Sequence, residues 1–174
     1  MMRATIQMKP SRIPLPELEV PMIRTMVTCL GIRHRKLYGL NMQLAFAAKR
    51  LACDAGIITA NQQALQAWDK IRHDLWSHLQ IEDELVLSWG MAHQAIPCTL
   101  LDTLRNERQQ MRQQIAALRA LSPRVDRELQ PIGDCRAYAQ TLLALARTLD
   151  SHVERYDGEV LPSIHGALLH RSRS

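Results

Sequence analysis

Four long stretches of this chain repeat apolar residues every three or four positions, the spacing that lines one face of an α-helix. The first runs from about Pro21 to Cys53, with Val27, Leu30, Leu37, Leu44, Ala48 and Leu51 on its stripe. The second runs from Asn61, a residue type that caps helix starts, to Trp89, and carries Ala64, Trp68, Ile71, Leu75 and Leu85. Gly90 follows as a stop signal. The third begins near Pro97 and closes at Ser122-Pro123, with Leu101, Leu104, Met111, Ile115 and Leu118. The fourth begins near Asp134 and carries Tyr138, Leu142, Leu145, Leu149 and Val160, with Gly158 loosening its end and Pro162 just beyond.

A single amphipathic helix cannot bury its own stripe. Four of similar length, joined by connections of roughly 8–12 residues, predict an all-α, up-down-up-down four-helix bundle over residues 22–170. The 122–133 connection is the longest and has room for a short helical turn. Aromatic residues make up 4% of the chain, so aliphatic side chains must fill the core. The length of 174 residues suits one domain. Prolines at 10, 14, 16 and 21 predict an extended N-terminal arm over residues 1–21 that lies on the bundle. The tail from His170 to Ser174 reads as frayed.

The formal net charge of +5 is mild, and Lys and Arg occur along the whole chain. A nucleic-acid surface would gather that charge with stacking aromatics, so the charge reads as a solubility feature. Cys29, Cys53, Cys98 and Cys135 form no CxxC pair, which argues against a cysteine zinc site. Without a signal-peptide pattern or a run of about 20 apolar residues, the expected setting is the cytoplasm, with reduced thiols and no membrane contact.

Each stripe is broken by polar residues. His34 interrupts the first, His78 and Glu82 the second, Arg108 the third and His152 the fourth. Burying such groups without partners costs several kcal/mol, so they are expected to meet inside the bundle. Histidine nitrogens and a carboxylate facing one another across a bundle suit iron, manganese or zinc. Taken singly, each has a plainer reading: a hydrogen-bonded core histidine, or an i,i+4 pair on a helix surface. His73, His93, His165 and His170 fall off the stripes and read as surface or loop residues.

The order of these motifs resembles the hemerythrin HHE cation-binding family, over about residues 22–165. His78-Leu79-Gln80-Ile81-Glu82-Asp83 resembles the family's His-x-x-x-Glu-Asp motif. His152-Val153-Glu154-Arg155-Tyr156 and Val160-Leu161-Pro162 resemble its fourth-helix motif, and His34 stands at its opening histidine. Asn106-Glu107-Arg108-Gln109-Gln110-Met111 resembles its third helix. The resemblance implies carboxylate-bridged irons inside the bundle and a role in binding or sensing dioxygen, iron or oxidants. Two positions depart from it. Arg108 stands where a histidine is expected, and Tyr156 where a bridging carboxylate is expected.

By that pattern the half-site of His34, His78 and Glu82 is complete, and the half of Arg108 and His152 is damaged. The implied ligand set is His34, His78, Glu82, His152 and Tyr156, holding one iron in preference to two. The implied function is dioxygen, peroxide or iron sensing or storage, with weak peroxide consumption as an enzymatic variant. The alternative is a metal-free interaction or regulatory module in which Arg108 pairs with Glu82.

Overall fold

A computed structural model describes residues 19–55, 57–83, 87–126 and 131–171. In order these form α1 (Glu19–Cys53), α2 (Ile58–Glu82), a short α3 (Ser88–Ala92), α4 (Cys98–Val125), α5 (Ile132–Arg155), a π-helical stretch (Tyr156–Val160) and α6 (Leu161–Arg171). No strand occurs among the described residues. The four long helices form the all-α bundle that the stripes predict. Every stripe residue named above, Leu85 excepted, is buried; Leu85 lies outside the described residues.

The boundaries differ from expectation for local reasons. Helix α1 starts at Glu19, so Pro21 sits in its first turn, where a missing N–H costs nothing. The arm expected over residues 1–21 otherwise falls outside the described residues. Asn61 does not cap α2. Ile57 does, its carbonyl accepting from the amides of Ala60 and Asn61 at 3.0 and 3.1 Å, and Asn61 is buried within the helix. Helix α4 runs through Ser122-Pro123 to Val125, whose full burial draws the last turn onto the core. The longest break between long helices is therefore not at 122–133 but between α2 and α4, where α3 sits.

Gly90 belongs to α3. A Cβ there would stand 2.5 Å from Ile96 Cδ1, so the glycine leaves room for the Ile96 side chain as it is placed. The chain then reverses through Gln94, at φ 51°.

The fourth helix does not end at Gly158. Leu161 donates its amide proton to the Tyr156 carbonyl, a five-residue step, and α6 continues to Arg171. That π step shifts the face presented by every residue after Arg155.

Two apolar clusters fill the bundle. The larger includes Leu37, Leu44, Leu75, Met111, Tyr138, Leu142 and Leu149. The smaller gathers Leu30, Leu104, Tyr156, Val160 and Ile164. The stripe-breaking polar residues form a layer between them, as their sequence positions require. Helix α1 packs closely on both α2 and α5, and α4 packs on α5, whereas contact is sparse between α2 and α5 and between α2 and α4. Between these last two lies a cleft of about 270 Å³ lined by Trp76, Leu79, Gln80, Asp83 and Arg112.

Candidate metal centre

Glu82 is the hub of the polar layer. It is fully buried in the last turn of α2. Its Oε1 lies 2.8 Å from His78 Nε2, one helical turn earlier, and 3.5 Å from His34 Nε2 on α1. Its Oε2 faces His152 Nε2 on α5 at 3.0 Å and an Arg108 terminal nitrogen on α4 at 3.8 Å. His34, His78 and Glu82 each offer a ligand atom, and the three atoms lie within 4.8 Å of one another.

The histidines differ in what holds their outer nitrogens. His34 Nδ1 donates to Asp157 Oδ1 at 2.8 Å, which leaves the Nε2 lone pair facing the Glu82 carboxylate. Two acceptors face each other there, an arrangement that a cation between them satisfies. His78 Nε2 is close to Glu82 but off hydrogen-bond angle, and both its ring nitrogens are buried without a hydrogen-bond partner. The Tyr156 hydroxyl is orphaned in the same way. Its ring centroid lies 5.2 Å from those of both His34 and His152. Orphaned buried donors of this kind cost about 1–3 kcal/mol each unless another group engages them. This donor set fits a bound metal ion.

His152 sits between two carboxylates, Glu82 at 3.0 Å and Glu107 at 3.4 Å. Burial alone would lower its pKa, but the Glu82 and Glu107 charges and hydrogen bonds outweigh this and raise it to about 9. Burial alone would push Glu82 up. The charges of His152 and His78, with a hydrogen bond from His152, reverse that and hold its carboxyl well below the usual range. Glu107 is lowered against its own burial by hydrogen bonds from His152 and Arg155. Burial, with Glu82 beside it, pushes the Tyr156 phenol well above its usual value.

Arg108 points inward and is 2% exposed. One terminal nitrogen lies 2.7 Å from Asp83 Oδ1, and the other donates to the Leu79 carbonyl. Arg112 reaches the second oxygen of Asp83 at 2.6 Å. The guanidinium is thus anchored at the carbonyl end of α2, where the helix dipole favours a cation.

The polar layer brings together all five residues predicted as ligands, with Arg108 at its edge. His73, His165 and His170 are exposed and His93 is half-buried, as expected of off-stripe residues. Sequence reasoning assigned no role to Asp157, Glu107 or Asp83. Asp83 and Glu107 lie inside quoted motifs, each next to a stripe residue. Asp157 follows His152 by five positions, off any helical stripe, and only the π step carries it to His34.

The family model for the hemerythrin HHE cation-binding domain matches residues 33–164. The chain belongs to the hemerythrin HHE cation-binding family. Every residue of the hub lies within the matched stretch of this hemerythrin-like chain. No curated protein and no solved structure matches it. Among the described residues no helix is long and apolar enough to cross a membrane.

Proposed function

We propose that this hemerythrin-like protein holds a single iron-type ion between His34, His78 and Glu82 and uses it in dioxygen, peroxide or iron sensing or storage. The observation that carries this reading is the split of the Glu82 carboxylate. Oε1 faces the Nε2 atoms of His34 and His78, which have no partner other than Glu82 among the described residues, and Oε2 faces Arg108 and protonated His152, whose Nε2 reaches both oxygens. Two histidines and one carboxylate suffice for Fe(II) with open coordination positions. Bound there, such an ion would supply the sites at which dioxygen or peroxide coordinates.

The chain's own residues do the rest. Asp157 fixes the His34 tautomer and ring. Glu107 does the same for His152, which becomes a further ligand once it loses its proton. The Tyr156 phenol stands beside both imidazoles as a ligand or hydrogen-bond donor. Leu104, Tyr156 and Val160 close one end against water. Arg108 supplies positive charge beside Oε2, where a second ion would otherwise sit. The exposed free thiols of Cys29, Cys53 and Cys98 suit a reducing, cytoplasmic setting.

Supplementation of the expression medium with iron, followed by elemental analysis, tests this reading. It predicts about one ion per chain, lost in His78→Ala. The metal-free alternative draws on the direct contact of His152 with Glu82, which already neutralises the buried carboxylate. It predicts no stable uptake and an unchanged thermal midpoint on adding Fe(II), Mn(II) or Zn(II). An oxygen-evolution assay on loaded protein against free iron tests peroxide consumption.

A further inference from the structure

The charge of the protein is less evenly spread than the positions of Lys and Arg suggest. Helix α1 contains Arg24, Arg33, Arg35, Lys36, Lys49 and Arg50, with Glu19 as its one acid. It alone carries a charge equal to the +5 of the whole chain; elsewhere acids balance bases. On its outward side Tyr38, Met42 and Phe46 are 55%, 57% and 68% exposed. With Arg35 and Lys49 they are spaced three, four, four and three residues apart, so all five share one face. Neither Arg35 nor Lys49 makes an ion pair among the described residues. Three large apolar side chains in a line, closed by a free cation at each end, form a seam rather than scattered exposure.

We propose that this seam is a docking surface for an amphipathic helix of a partner protein, one whose apolar stripe is flanked by acidic residues. The spacing is that of a helix–helix seam, one apolar residue per turn. A bilayer surface calls for a much wider apolar face. A second copy fits poorly. The seam is symmetric about Met42, so antiparallel pairing sets Arg35 against Lys49, and parallel pairing sets each cation against itself. The N-terminal segment does not complement it either, since Arg3, Lys9 and Arg12 there outnumber Glu17. Acidic residues on an apolar helix answer both features. The inference does not depend on metal binding.

The test uses the full chain and two synthetic helical peptides with leucine at the a and d positions of each heptad, one with Glu at e and g, the other with Lys. Binding is followed by fluorescence anisotropy at low and high salt, beside gel filtration with light scattering and co-sedimentation with phosphatidylglycerol vesicles. The expected result is binding of the Glu peptide alone, weakened by salt and by about tenfold in a Met42→Ala, Phe46→Ala double variant. Circular dichroism confirms that this surface variant is folded. Binding of neither peptide, equal binding of both, or binding insensitive to the double substitution overturns the proposal. So does a dimer that Met42→Glu dissolves, or vesicle binding without peptide binding; these outcomes assign the seam to a second copy or to a membrane.

Discussion

Arg108 and Glu82 share the buried layer without forming a close pair. Their nearest atoms stand 3.8 Å apart, while Arg108 is held at 2.7 Å by Asp83 and bonded to the Leu79 carbonyl. Arg108 therefore adds charge beside Glu82 Oε2 without consuming Oε1, which stays turned toward His34 and His78. A guanidinium cannot lose its proton to ligate a metal. It can hold the place of one.

If Arg108 and Tyr156 displace a second ion, restoring ligand types should admit it. An Arg108→His, Tyr156→Glu double variant is expected to rise from about one ion per chain to about two. Metal content after reconstitution checks this. A native protein that already carries two ions would contradict the reading.

The metal-free protein should have a pH-dependent stability set by His152 and Glu82. The His152 pKa is raised to about 9, above its unfolded value of about 6.5. Its contribution is therefore complete below about 6.5 and is lost as pH rises through about 9. The Glu82 pKa is lowered, so its contribution is present above about 4.5 and is lost as pH falls toward its folded value. Urea unfolding from pH 4 to 10 should show a decline between about 6.5 and 9 that His152→Gln removes. An unchanged slope in that variant would sink the assignment.

Asp157 is half-exposed and packs little, yet it holds His34 Nδ1. Asp157→Asn should leave the thermal midpoint of the metal-free protein nearly unchanged and weaken metal affinity roughly 10–100-fold. Competition with a chelator reads the affinity. Equal affinity in the variant would show that His34 needs no outer partner.

Gly90→Ala places a methyl group 2.5 Å from Ile96 Cδ1. Overpacking of this kind costs about 1–3 kcal/mol. Ile96→Val, which removes that carbon, should restore part of the loss in a thermal melt. No destabilisation in the single variant would mean the 93–97 turn yields freely.

The bundle was legible because each long helix writes its buried face every three or four residues, and the described stripe positions all proved buried. The hub was legible because polar residues on such a stripe must meet. Terminal turns were less so. Val125 gains its place from burial against the core, in spite of the local signal of Ser122-Pro123, and Asn61, read as a cap, is instead buried inside α2. Asp157 was hidden because a π step, made of backbone hydrogen bonds and not of any residue type, changes which side chains share a face. The direction of Arg108 depended on the carbonyl end of α2, which no spacing on α4 encodes.

Metal stoichiometry at the His34, His78, Glu82 hub tests the central claim most directly. Protein purified from iron-supplemented cells, or reconstituted anaerobically with Fe(II), should hold about one ion per chain, and His78→Ala should hold almost none. A native protein holding less than about 0.1 ion per chain after reconstitution, or one whose metal survives in His78→Ala, would contradict it.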